Sequence, residues 1–279
     1  MTRRQFLRYS ATTVIGAGLI TSGYASLWEP RHLSIESLEL EFARLPAAFD
    51  GLKVVQFSDL HLGFHTHEKD IKSLMATITR QSPDIICFTG DIVDNSAEPL
   101  AQAVPYLSSL QAPLGKYAIL GNHDHWGQPG EVIRMLKDSG FIVLQNKHVI
   151  VKKEGSMIAI VGLEDLLIGR PNPEKALKGV PEGTFSLLLM HEPDYADTAA
   201  MYPFDLQLSG HSHGGQVRLP FMGAVMTPKG SKRYIQGLYS MESNDMKLYV
   251  NRGFGVTKLP IRFLCSPELT LFTFKKSGL

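Results

Sequence analysis

Apolar and polar positions fall into short alternating blocks along most of the 279-residue chain. SIESLELEF, from Ser34 to Phe42, alternates polar and apolar residues apart from the polar pair Glu36-Ser37, the pattern of a half-buried strand. LKVVQF at 52–57 and PDIICFTGD at 83–91 are instead apolar runs that close on polar residues, as strands covered on both faces do. Between them 67–81 has helical spacing, and further helices fit 97–110 and 130–138. KYAILGNHD at 116–124 reads as a strand with a polar tip. After residue 140 strands dominate: FIVL, HVIVKK, SMIAIVGL, then TFSLLLMHEPD and FDLQLSGHSHGG with polar tips, then KLYV and ELTLFTF. The alternation of strand and helix predicts an α/β protein with parallel portions, and the later strands predict a second sheet. No repeat, low-complexity linker or second domain interrupts 31–279.

The first 30 residues read differently. Arg3, Arg4 and Arg8 precede an uncharged stretch that runs to about Ala25. TRRQFLR is similar to a twin-arginine export signal, in which paired arginines precede a bulky apolar pair, here Phe6 and Leu7. GYA at 23–25 is a candidate cleavage site, and an uncleaved anchor is the alternative, the apolar stretch being marginal in length for a membrane span. In either case the arginines stay in the cytoplasm and the remainder faces outward.

Polar residues recur at strand ends, where open α/β sheets bind ligands. They are Asp59-Leu60-His61, Gly90-Asp91, Gly121-Asn122-His123-Asp124, Met190-His191 and Gly210-His211-Ser212-His213. Residues two apart in an extended segment point the same way, so Asp59 and His61 can face one ion, and His211 and His213 one site. Two imidazoles inside SGHSHGG have no bulk beside them, which suits a metal site better than a core. Gly90, Gly121 and Gly210 let the backbone approach closely.

The order DxH, GD, GNHD, lone His and GHxH resembles the calcineurin-like metallophosphoesterases, over about residues 50 to 216. The resemblance implies a four-layer α/β/β/α sandwich holding two divalent ions. Asp59, His61 and His213 would hold one ion; Asp91 would bridge to the second; Asn122, His191 and His211 would complete that second site. Hydrolysis of a phosphodiester or pyrophosphate bond by a metal-bridging hydroxide would follow. His123 would serve the leaving oxygen as catalytic acid, and Asp124 would orient its imidazole. Mixed nitrogen and oxygen ligands suit Mn, Fe or Zn alike. Two divalent ions against Asp59, Asp91 and a hydroxide leave about one positive charge for a phosphate.

That local charge matters because the whole chain has almost none: 28 Lys and Arg against 27 Asp and Glu. No nucleic-acid partner is expected. Only Cys87 and Cys265 are present, in no CxxC pair, so cysteine usage says little about compartment. Of the ten histidines, His65 and His67 are assigned to a surface loop. His125 and Trp126 either line the pocket mouth or stand exposed, and Glu164 and Asp165 either support the site or lie in a solvated loop. Arg252 and Arg262 are candidate substrate-binding residues, with anchoring of loop carbonyls as the plainer alternative.

GGQVRLP and RGFGVTKLPIRFLCSPE resemble the membrane-associated or exported subgroup of the family. That resemblance implies a membrane or envelope substrate, lipid-linked phosphate esters included. The alternative is UDP-2,3-diacylglucosamine hydrolysis in lipid A synthesis, which fits an inward-facing, cytoplasmic-side arrangement. A metal-free binding scaffold of the same fold is the alternative from another class.

Overall fold

The computed structural model of the chain describes residues 1–242 and 245–278. The α/β/β/α sandwich is present as two six-stranded sheets packed face to face. The strands and helices of the first half are β1 (Ser34–Phe42), β2 (Leu52–Phe57), α2 (Glu68–Gln81), β3 (Ile85–Thr89), α3 (Leu100–Ser109), β4 (Lys116–Ile119), α4 (Asn122–Trp126), α5 (Pro129–Asp138) and β5 (Ile142–Val143), preceded by α1 (Arg3–Gly23). The second half contributes β6 (Lys147–Lys153), β7 (Ser156–Gly162), α6 (Pro173–Leu177), β8 (Ser186–Leu189), α7 (Ala196–Ala199) and β9 (Leu206–Ser209). It closes with β10 (Arg218–Leu219), β11 (Gly223–Ala224), β12 (Gly237–Ser240), β13 (Lys247–Val250) and β14 (Glu268–Lys276).

One sheet runs β1-β14-β2-β3-β4-β5 and the other β12-β13-β9-β8-β7-β6. Strands β2 to β5 are parallel, as are β7, β8, β9 and β13. The period of two sorts their side chains between layers. Ile85 and Cys87 point into the space between the sheets, whereas Ile86 and Phe88 point the other way, under α2, α3 and α5. Leu187 and Leu189 likewise meet the first sheet, and Leu188 and Met190 pack outward with Ala196 and Ala199 of α7. Each such aliphatic side chain, taken fully out of water, contributes about 1.5–3 kcal/mol. Doubly covered strands explain the uninterrupted apolar runs in the sequence.

Two features of the fold differ from the sequence expectation. GNHD does not extend β4: it turns at Gly121 into the short helix α4. Residues 24–30 are not outside the fold. Glu29, 1% exposed, accepts the backbone N–H groups of Leu264 (2.8 Å) and Cys265 (2.5 Å). Arg262 N donates to Ala25 O at 2.9 Å, and Tyr24 stands edge-on to Phe263. A boundary at residue 30 therefore cuts through a packed segment, because the buried Glu29 carboxylate accepts two backbone N–H groups of the carboxyl-terminal loop, that of Cys265 buried with it. Helix α1 itself buries no residue, and among the described residues no helix is long and apolar enough to cross a membrane.

The carboxyl-terminal strand β14 inserts between β1 and β2, parallel to the first and antiparallel to the second. Its insertion ties residues 251–267 against the loop after β2: Phe254 N and Gly255 N donate to Ser58 O and Asp59 O at 2.9 and 2.7 Å. The tail thus braces one of the polar strand tips.

Candidate functional site

The polar tips of β2, β3, β4, β8 and β9 converge at one edge of the two sheets. They turn there through backbone conformations that L-residues usually avoid. Asp59, His61, Asp91, His211 and His213 all have positive φ, between 47° and 67°. Each such residue costs about 1–2 kcal/mol. The two-residue spacings of DxH and HxH therefore work through left-handed turns, not through extended backbone. Ser212 caps the tight turn at Gly214.

Ligand-type atoms gather in overlapping groups: Asp59, His61 and His213; His61, Asp91 and His123; and Asp91, His191 and His211. His61 Nε2 stands 3.0 Å from His213 Nε2, and His213 Nε2 stands 3.4 Å from Asp59 Oδ1. His191 Nε2 lies 3.2 Å from Asp91 Oδ2, and His61 Nε2 lies 3.7 Å from the same oxygen. His211 and His213 thus belong to different groups, although they are two residues apart.

In His191, His61 and His211 the ring nitrogen turned away from the centre is hydrogen-bonded, which fixes the tautomer, whereas the outward Nδ1 of His213 is buried with no partner among the described residues. His191 Nδ1 donates to Thr89 O (2.7 Å), His61 Nδ1 to Asp94 Oδ1 (3.2 Å), and His211 Nε2 to Lys229 O (2.9 Å). The other nitrogen of each ring is left bare. His191 Nε2 and Asn122 Oδ1 are buried with no hydrogen-bond partner, the signature of atoms that await something else. Atoms bound to one ion at about 2.1 Å sit about 3.0–3.4 Å apart, which matches the short separations here. The residues fit a pair of divalent cations.

Charge inside the cluster is strongly redistributed. Burial disfavours the Asp91 anion, yet His191, His61 and His123 outweigh it and hold its carboxyl well below the usual range. Burial, with His191 nearby, lowers His211 to about 4, and burial with His61 and Arg262 takes His213 well below an ordinary histidine. Both rings are neutral near pH 7, the form that binds a metal.

His123 sits at the rim with 16% of its side chain exposed. Its Nδ1 donates to Asp94 O at 2.8 Å and lies 3.4 Å from Asp94 Oδ1. Trp126, half exposed, stands against this ring with centroids 4.4 Å apart. Asp94, not Asp124, therefore steadies the imidazole. The Asp124 carboxylate is occupied elsewhere, accepting Asp91 N, Ile92 N, Val93 N and Gly121 N at 2.8–3.1 Å. It shapes the two loops that carry Asp91 and Asn122. The signal for Asp94 was available: it repeats the acid of GD three residues on, in GDIVD.

The two candidate phosphate-binding arginines are also taken by the protein. Arg262, 0% exposed, spends its guanidinium on the carbonyls of Cys265, Arg252, Gly253 and Gly255. Arg252 is paired with Glu268 at 2.6 Å and Glu36 at 2.5 Å. Both anchor the 251–267 loop, which is the plainer alternative read from the sequence. His65 and His67 are exposed and His67 precedes α2, as expected for a loop. Asp165 is buried and accepts Leu167 N and Ile168 N, while buried Glu192 beside it accepts Leu166 N.

The glycines are needed for space. A Cβ at Gly121 would collide with Asp91 Oδ1 and stand 2.6 Å from His191 Nε2; one at Gly210 would collide with Ser58 and Asp59.

A model of the calcineurin-like phosphoesterase family matches residues 52–215. The chain is 42% identical to the uncharacterized metallophosphoesterase YkuE of Bacillus subtilis (strain 168), covering 100% of this chain and 99% of that protein. It is 31% identical to the phosphodiesterase YaeI of Escherichia coli (strain K12), over 97% and 98% of the two chains. It is 30% identical to the UDP-2,3-diacylglucosamine pyrophosphatase LpxG of Chlamydia trachomatis, over 94% and 95%.

Proposed function

The chain belongs to the calcineurin-like phosphoesterase family, and from that premise we propose that it hydrolyses a phosphodiester or pyrophosphate bond in a membrane or envelope component. It is a metal-dependent hydrolase, and the family works with two divalent ions. In this reading Asp59, His61 and His213 would hold one ion and Asn122, His191 and His211 the other, with Asp91 shared between the two sets. Such ions supply charge for the phosphoryl oxygens and a water acidified for attack. The observation that carries the reading is the pair of buried, unpartnered atoms Asn122 Oδ1 and His191 Nε2, the latter 3.2 Å from the Asp91 carboxylate.

The residues around that centre do the rest. His123, with Nδ1 donating to Asp94 O, turns Nε2 to the leaving oxygen; the ring gives a proton there as the imidazolium, and the neutral ring that remains keeps its Nδ1–H on Asp94. Asp94 serves two rings at once, holding His61 as well as His123. Burial of the cluster keeps water out and strengthens each of these contacts.

The test is hydrolysis of bis-p-nitrophenyl phosphate by the full chain, stripped of metal and reloaded with Mn. Turnover that depends on Mn and is largely lost in His123→Ala supports the proposal. Binding of a partner without any turnover would favour the scaffold alternative. Hydrolysis of UDP-2,3-diacylglucosamine is the second reading, supported by the likeness to LpxG across nearly the whole of both chains. The arginine-led amino terminus supports export or anchoring with the catalytic domain outward, whereas a nucleotide-linked lipid substrate calls for the cytoplasmic face.

A further inference from the structure

Five residues beyond His213 the chain forms a hairpin, β10 and β11, whose tip points nowhere into the protein. Phe221 is 110% exposed and Met222 79%, and Val225 and Met226 beside them are 58% and 68% exposed. Phe221 also holds a left-handed conformation, φ 66°, which an aromatic residue adopts at a cost and asparagine or glycine would adopt cheaply. A bulky apolar residue kept at a strained, fully exposed tip has no role in folding the hairpin.

The hairpin is stitched to a second apolar loop. Arg218 N donates to Phe263 O and Phe263 N to Gln216 O, while the Gln216 side chain reaches Thr257 O and Leu259 O. That loop exposes Leu259 (59%) and Leu264 (48%). Through Tyr24, Ala25 and Glu29 the same loop holds the root of α1, which is itself buried nowhere. Three apolar elements thus leave the fold at one place, the rim of the histidine cluster.

Charge identifies what covers them. From Gly214 to Met241 the sequence has four Lys and Arg residues and no Asp or Glu, and 251–267 also lacks an acid. Lys229, Lys232 and Lys258 are exposed, and among the described residues none of the three forms an ion pair; Arg233 alone of the exposed cations here pairs with a carboxylate, Asp197. Apolar tips on two segments that carry bases and no acid, with Asp194 and Asp197 of a neighbouring element already bonded to Lys232 N, Arg233 and Tyr234, match a bilayer with anionic headgroups.

We propose that the hairpin at 218–226 and the loop at 257–264 dip into the interface of an anionic lipid bilayer and hold the mouth of the histidine cluster against the membrane plane. The docking is separate from any anchoring by α1 and from the hydrolytic reading of the cluster.

The test uses the full chain carrying Phe221→Cys, labelled with an environment-sensitive dye; Cys87 and Cys265 are buried and do not compete. Vesicles of phosphatidylcholine alone and of phosphatidylcholine mixed with phosphatidylglycerol are the probes. The dye should shift to the blue on vesicles, more strongly on the anionic ones, and the excess should shrink as salt rises. In parallel, Phe221→Asp combined with Met222→Asp should lower partitioning about tenfold or more. Its hydrolysis of bis-p-nitrophenyl phosphate should stay within about twofold of the parent, as for a surface change. A dye that stays water-like on vesicles to which the protein is bound would overturn the proposal. So would a double aspartate variant that partitions like the parent, or a parent dimer that the double variant splits.

Discussion

His61 and His213 meet nitrogen to nitrogen, Nε2 to Nε2 at 3.0 Å, although 152 residues separate them. Because His61 Nδ1 is turned to the Asp94 carboxylate, its Nε2 brings a lone pair to that meeting. A cation between the rings would take up a lone pair from each, and binding to the folded chain alone would stabilise it by mass action. Removing metal with a chelator should lower the melting temperature by several degrees, and Mn should restore it. A melting temperature indifferent to chelator and to Mn would count against the site.

Asp94 separates positioning from ligation. Asp94→Asn keeps the shape but weakens the hold on His123 and His61. The expected loss is about 10–100-fold in kcat, with KM little changed. The pH–rate profile should shift as well, which a purely structural role would not produce. Asp94→Glu should recover part of the rate.

Asp124 should behave as a structural residue. Asp124→Asn sets an amide against N–H groups that now donate to carboxylate oxygens. A stability loss of about 2–4 kcal/mol in urea unfolding is expected. Substrate KM should be unaffected in the fraction that remains folded.

Arg262 and Arg252 should likewise separate stability from substrate binding. Arg262→Lys cannot reproduce a fork shared among four carbonyls and should cost about 2–3 kcal/mol. Arg252→Ala removes the cation paired with the buried Glu268, whose other oxygen keeps Tyr249, Asn251 and Thr270, and should destabilise by a similar amount. A raised KM with unchanged stability in either variant would instead restore a direct role with phosphate.

Much of this molecule was legible because local patterns coincide with global ones. Doubly covered strands leave unbroken apolar runs, and polar residues placed at their ends cannot be mistaken for core. The ligand-type residues announce themselves in that way, from Asp59 to His213. What was hidden depends on contacts remote in sequence. Nothing in ELTLFTF says that β14 enters between β1 and β2, since any central strand reads alike. Nothing in GYASLWEPR marks Glu29 as the partner of two amides 235 and 236 positions away. Arg252 and Arg262 stayed open between two roles in the sequence because a buried guanidinium on carbonyls and an exposed one on phosphate have the same local pattern. The positive φ of Asp59 and His61 was equally invisible, so the right pairing was expected from the wrong backbone.

The most direct measurement is anomalous diffraction from crystals of the full chain grown with Mn. A binuclear centre gives two peaks about 3.5–4 Å apart, one beside Asp59, His61 and His213, the other beside Asn122, His191 and His211, with Asp91 between. A map with no peak among these seven side chains, or with the side chains splayed apart, would contradict it.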